Sequence, residues 1–392
     1  MDTRKYRVTS IDLVRGLIMV IMALDHTRDF FHISAWSDDP LNPDTTTPWL
    51  FFTRWITHFC APGFLFLSGV SAYLASLKKS KKEAAFFLIT RGLWLVIVEL
   101  VIVSFGITFN PAYNSVFLQV IWAIGWSMVC LGIVSWISKK LVLVLGILLF
   151  FGHNLFDYAS LPTTGSAGAI WSVFFRFPTF ISLGSGHFAG IFYAILPWTG
   201  VMFMGYSIGH WFLPGFDAAK RKRLLLSAGI GLTVLYLALR LGNLYGNPID
   251  FETGSTALKS LYSLLDTNKY PPSLQYLGMT LGPICILLAL LEQASGKLVN
   301  FFSIYGKVPF FYYILHFYLL HIITVAVFFA TGHSTAAIAD PNVPIYFRPQ
   351  NFGYSLWIVY AIWIAVVLLL YYPCRWYAQY KKTHQQWWLR YI

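Results

Sequence analysis

The residues best suited to chemistry lie in one apolar stretch. From Ser10 to His32 the chain reads SIDLVRGLIMVIMALDHTRDFFH, which is apolar enough to cross a membrane yet carries Asp12, Arg15, Asp25, His26, Arg28, Asp29 and His32. An ionisable side chain at the centre of a membrane-spanning helix costs about 2.5–3.5 kcal/mol, so a span that keeps several has a use for some of them. On a helix, Asp25, Arg28, Asp29 and His32 share one face through i, i+3, i+4, i+7 spacing. His26 lies off that face and close to the line of Arg15, because eleven residues make nearly three turns. A second apolar stretch, FFTRWITHFCAPGFLFLSG from Phe51, puts Arg54 and His58 one turn apart, with Pro62-Gly63 immediately after. A third holds Lys307, Tyr312, Tyr313, His316 and His321, with Tyr312 and His316 at i, i+4.

A histidine oriented by a carboxylate can take a proton from a hydroxyl or amine and return one to a leaving group. It can also act as a nucleophile and carry the acyl group itself. Both roles fit acyl transfer. The expected catalytic set is His26 and His58 facing one cavity, with Asp25 orienting one of them. His32 joins this set as a candidate close to the outer surface. Arg15 and Lys307 are candidates for an anionic donor head, with His316 and Tyr312 beside the donor. His153, His210 and His321 read as structural. Arg91, Glu99 and Arg240 read as members of embedded ion pairs. Cys60, Cys130, Cys285 and Cys374 fall in apolar stretches without any C-x-x-C pair, so buried thiols are expected and no metal site. Phosphate-binding loops, dinucleotide fingerprints, H-E-x-x-H and G-x-S-x-G are all absent.

The elements that must position these residues follow from composition. Of 392 residues, 57% are hydrophobic and 11% charged, against about 25% charged in a soluble domain. The reading is an all-α, polytopic membrane protein forming one domain over 1–392. Ten spans are expected, at roughly 10–31, 49–75, 84–108, 115–137, 140–156, 188–213, 224–245, 272–292, 304–330 and 353–374. A net charge of +12 raises the question of nucleic acid. The basic residues instead cluster between spans: Arg4, Lys5 and Arg7; Lys78 to Lys82; Lys139 and Lys140; Lys220 to Arg223; Arg375, Lys381, Lys382 and Arg390. With ten spans every cluster falls on one side, which the positive-inside rule makes the cytoplasm, and both termini lie there. The first helix has no cleavage site after it and is expected to stay in the mature chain. The longer loops 32–48, 157–187, 246–271 and 331–352 then cap the outer side, and 170–183 reads as a helix lying in the interface. A transporter or flippase with a proton-coupled polar path is the alternative function, weakened by the lack of a visible internal repeat. A non-catalytic scaffold is the third.

Several segments, in order, carry a family resemblance: SIDLVRGLIMVIMALDH, THFCAPGFLFLSG, LPWTGVMFMGYSIG, PPSLQYLGMTLGP, VPFFYYILHFYLLH and YPCRWYAQYKK. Together they resemble bacterial members of the heparan-alpha-glucosaminide N-acetyltransferase-like family. The resemblance implies a multi-pass acyltransferase of the bacterial inner membrane. It implies acetyl-CoA as the cytoplasmic donor, and an amine or hydroxyl acceptor, often a glycan, on the far side. A homodimer is also implied, through the lysosomal enzyme. Asp12, Arg15 and Gly16 match the opening motif. His26 stands where the lysosomal enzyme has Asn, and His58 where many relatives have Asp. His32 looks like the histidine proposed there as catalytic. The departures at His26 and His58 imply a different acceptor from the heparan-type one.

Overall fold

The computed structural model describes residues 8–175, 179–340 and 342–391. Arg4, Lys5 and Arg7 lie outside the described residues, as does the side chain of Arg390. The chain begins with α1 (Thr9–Phe31), α2 (Pro48–Thr57), α3 (Cys60–Ser76) and α4 (Lys81–Val98). A π-helical turn (Glu99–Val103) joins α4 to α5 (Ser104–Thr108), and β1 (Ser115–Leu118) leads into α6 (Val120–Ile137) and α7 (Lys139–Gly152). Next come α8 (Gly165–Phe174), β2 (Thr179–Gly184), β3 (His187–Ile191), α9 (Ile195–Ile208) and α10 (Ala218–Leu241). The chain closes with α11 (Ala257–Leu265), α12 (Leu274–Leu290), α13 (Lys297–Lys307), α14 (Pro309–Ala330) and α15 (Leu356–Thr383).

Among the described residues, seven helical stretches are long and apolar enough to cross a membrane: Pro48–Ser76, Lys81–Thr108, Val120–Ile137, Lys139–Tyr158, Ala218–Leu241, Pro309–Ala330 and Leu356–Thr383. Length and composition thus carry seven of the ten expected spans. The other three segments are helical but fall short for physical reasons. α9 and α12 have 14 and 17 residues, and α1 holds Asp12, Arg15, Asp25, Arg28 and Asp29. Local signals set several helix starts. Pro48 and Pro309 occupy first-turn positions, where no backbone donor is lost, and Ser80 with Glu83 closes a capping box on α4.

α1 carries five charged side chains and is nevertheless largely buried. α1 packs against α2, α3, α12, α13, α14 and α15. Its contact with α13 is backbone to backbone: a Cβ on Gly16 would strike the Phe302 carbonyl, and one on Gly306 the Asp12 carbonyl. Small residues permit this approach in membrane bundles, where close van der Waals packing holds helices together. The same contact brings Arg15 Nη1 to the Gly306 carbonyl at 3.3 Å. At the other end, buried Arg348 grips the last turn of α1, donating to Phe30 O at 3.0 Å and His32 O at 2.7 Å.

The fold is mostly rather than wholly helical. Helices take 69% of the described residues, and a small sheet of order β1-β3-β2 corrects the all-α expectation. β1 runs parallel to β3, and β2 antiparallel to it. The expected interfacial helix over 170–183 therefore ends at Phe174, and Thr179–Gly184 pairs as a strand; residues 176–178 lie outside the described residues. The cause is the Gly184-Ser185-Gly186 turn, whose φ values of 83°, 51° and 77° close a hairpin that glycine permits and most residues resist.

Candidate functional site

Three cavities lie in file along α1. The inner one, of about 300 Å³, is walled by apolar side chains such as Met19, Phe64, Leu95, Ile124, Met128 and Phe310, with Arg15 and Arg91 as its cations. A narrow neck of about 30 Å³ follows, lined by Met22, Thr57, Cys60, Ala61 and Phe64 among others. An outer vestibule of about 270 Å³ completes the file. Phe64 and Val120 belong to both the inner cavity and the neck. Asp25, His26, Gln119, Tyr193 and Lys269 belong to both the neck and the vestibule. His26 therefore stands where the neck and the vestibule meet.

The partner of His26 is His316 on α14, with His26 Nδ1 and His316 Nε2 2.6 Å apart. His316 Nδ1 lies 3.2 Å from the Tyr312 carbonyl, which can only accept. That fixes the direction of the chain. His316 donates from Nδ1, so in its neutral form Nε2 accepts from His26 Nδ1–H. His26 Nε2 then carries a lone pair, and no partner for it is present among the described residues. The ring is held by Phe317, stacked at 4.3 Å, and by Tyr313 edge-on at 6.3 Å. An imidazole held in this way can act as a general base.

Asp25 does not orient a histidine. Its Oδ2 accepts from Arg54 Nη1 at 2.6 Å, and its Oδ1 lies 3.4 Å from Arg28 Nη2. Arg28 also pairs with Asp29 at 2.6 Å. The Arg54 arm of α2 thus reaches across to α1, and the carboxylate serves cations rather than an imidazole. His58 does not face His26 either. α2 stops at Thr57 and α3 starts at Cys60, and this break turns His58 toward α12. There its ring meets Tyr276 at 5.4 Å, and its carbonyl accepts from the Tyr276 hydroxyl at 2.7 Å. It lines none of the three cavities.

His32 caps α1 at its C-terminal end, with Nδ1 3.1 Å from Ser34 Oγ. It too lies outside the cavity walls. Burial, Arg28 and Arg348 hold its imidazole below the usual histidine range.

Arg15 lines the inner cavity and also donates to Ser71 Oγ at 2.6 Å. Lys307, His316 and Tyr312 do not line it; Tyr313 does. Lys307 ends α13, and Tyr312 is buried behind His316, its ring parallel to the imidazole at 5.7 Å. One-turn spacing placed Tyr312 and His316 on a shared face correctly, but that face meets His26 rather than the cavity that Arg15 lines. His153 and His321 are structural, each placing both ring nitrogens against backbone carbonyls.

Lys269, Tyr270, Tyr193 and Gln119 were not legible as site residues. They come from loops, where no periodicity announces a cavity wall. The segment carrying Lys269 is pinned from several directions. Asn268 N donates to Asn247 Oδ1 at 2.8 Å, and the Pro272 carbonyl lies 2.6 Å from His153 Nε2.

Residues 7–238 match the family described as heparan-alpha-glucosaminide N-acetyltransferase, catalytic. The chain belongs to this family. The match covers more than half of the chain and includes the whole of α1, with Arg15, Asp25 and His26, and Arg54 on α2. His316 and Lys269 lie beyond it, so the family's matched segment supplies the histidine in the cavities and the later part supplies its partner. No match was found among curated proteins. Family and helices together make this a multi-pass membrane protein of an acetyltransferase type. Among the described residues no group of three or more His, Cys, Asp or Glu could hold a metal ion.

Proposed function

We propose that the chain moves an acetyl group from acetyl-CoA, supplied at the cytoplasmic side, to a hydroxyl or amine of an acceptor that enters the outer vestibule. The ten-span topology with cytoplasmic termini, in a plasma membrane, belongs to this reading. The carrying observation is that His26 faces both the neck and the vestibule, with its Nε2 lone pair directed by the His316–Tyr312 chain.

The residues fit a CoA thioester. Arg15 and Arg91 supply charge for a phosphate-bearing head, and the apolar inner cavity suits an extended, mostly aliphatic arm. A neck of about 30 Å³ matches a group the size of one or two waters, such as an acetyl. His26 Nε2 takes the proton from the acceptor as its N or O attacks the thioester carbonyl. The C–S bond breaks, and His26 returns the proton to the departing thiolate, giving free CoA and the acetylated acceptor. His316 accepts a hydrogen bond from the imidazolium while it is charged, which is when such a bond is strongest.

The test uses the purified full chain in nanodiscs, labelled acetyl-CoA and glucosamine as a probe acceptor. Labelled N-acetylglucosamine should form with the wild type and fall at least about 100-fold with His26→Ala. Equal transfer by both proteins would remove His26 from the mechanism.

A further inference from the structure

The vestibule has a charge pattern that acetyl transfer alone does not require. Five charged side chains face it: Arg28, Arg54, Lys269, Asp25 and Asp29. Asp25 is taken by Arg54 and Arg28, and Asp29 by Arg28. Lys269 is left over. It is only 9% exposed, yet no carboxylate lies within ion-pair distance of it among the described residues. Its ammonium sits 5.0 Å from the centre of the Tyr270 ring. A buried ammonium without a counter-ion is costly, and buried charges are normally paired. The Tyr270 hydroxyl is hydrogen-bonded to Lys269, and although burial raises it, Lys269 and Arg54 pull it below its usual value; the ammonium's partner is thus a phenol rather than a carboxylate. The same vestibule is walled by Trp36, Phe117, Phe192 and Tyr193, flat surfaces that suit a sugar ring.

We infer that the acceptor carries an anionic group, a carboxylate or a phosphate, which Lys269 holds while the reacting hydroxyl or amine faces His26. This inference rests on the acetyl-transfer reading for its second half only. The anion subsite exists whether or not transfer occurs, so binding is the primary readout. Lys269 lines both the vestibule and the neck, so a group held there is within one cavity of the base. Hydrogen bonds at Asn268 and Ser273 hold the segment that carries Lys269 in place before any ligand arrives.

The experiment measures calorimetric binding of three probes to the full chain in nanodiscs without donor: glucosamine, glucosamine 6-phosphate and muramic acid. The last two carry the phosphate and the carboxylate. At least one anionic sugar should bind about tenfold or more tightly than glucosamine, the gain of one hydrogen bond to a charged group. The preference should vanish in Lys269→Gln and persist in Lys269→Arg. The arm that shows it identifies the anion. Equal binding of all three probes, no binding of either anionic sugar, or an unchanged preference in Lys269→Gln would overturn the inference. Lys269→Gln should also melt no lower than the wild type, since it removes an uncompensated charge; a fall of several degrees would mark Lys269 as structural and overturn it too. Preferential binding without any acetyl transfer would sink the transfer reading and leave the subsite standing.

Discussion

Replacing His316 by Leu tests the histidine pair at its most exposed point. The side chain is fully buried and lines none of the three cavities, so substrate contacts stay as they are. What disappears is the acceptor for His26 Nδ1–H at 2.6 Å. During transfer that bond is made by an imidazolium, and a hydrogen bond to a charged group is worth about 1.5–3 kcal/mol. The expected loss in kcat is therefore about 10–150-fold, with KM unchanged. His26→Ala removes the base itself and should cost about 10²–10⁴-fold. His316 acts only through His26, so His26→Ala/His316→Leu should be no slower than His26→Ala alone. His316→Gln, whose amide oxygen can accept from Nδ1–H, should recover part of the rate. The assay is turnover of labelled acetyl-CoA by purified variants in nanodiscs. If the two single losses multiply in the double variant, or if His316→Leu raises KM at constant kcat, the relay is refuted and His316 has another task.

Other perturbations have equally definite outcomes. Phe64 walls both the inner cavity and the neck, so Phe64→Ala should admit propionyl- and butyryl-CoA, while the wild type should turn them over poorly; competition among the three donors reads this. Arg54→Ala strips Asp25 of its closer cation and should destabilise the fold by about 3 kcal/mol, the low end for a broken buried pair because both groups edge the vestibule. Asp25→Ala/Arg54→Ala should recover part of that loss in a thermal melt. Burial, reinforced by Asp39 and opposed by Arg240, pushes the Asp266 carboxyl up to about 6. The folded state therefore binds this proton more tightly than the unfolded state does. Its contribution is full below about pH 4 and is lost as pH rises through 6, a change of about 3 kcal/mol at most. Melting between pH 4.5 and 7 should show a decline that Asp266→Asn lacks.

Much of the architecture was legible because a bilayer imposes long apolar helices, and seven of them appear where hydropathy puts them. The importance of α1 was legible too, since charges inside an apolar span need partners. Which partners they take was not. Helical periodicity gives the face of a residue on its own helix, but not the rotation of the helix it meets. His58 shows this: two residues of broken helix at 58–59 turn it from α1 toward Tyr276. His316 shows the converse, since its spacing from Tyr312 was visible but its approach to His26, across 290 positions, depends on how α14 packs on α1. The small sheet had a signal in the Leu-Gly-Ser-Gly-His turn, outweighed by the apolar run before it. Lys269 had none, because loop residues reach a site through hydrogen-bonded pinning rather than through any repeat.

The most direct test of the central claim is a structure of the chain with a non-hydrolysable thioether analogue of acetyl-CoA. The expected density runs through the inner cavity, with its charged head toward Arg15 and Arg91 and its acyl end in the neck beside His26. A head bound in the outer vestibule, or an acyl end remote from His26, would contradict transfer along α1.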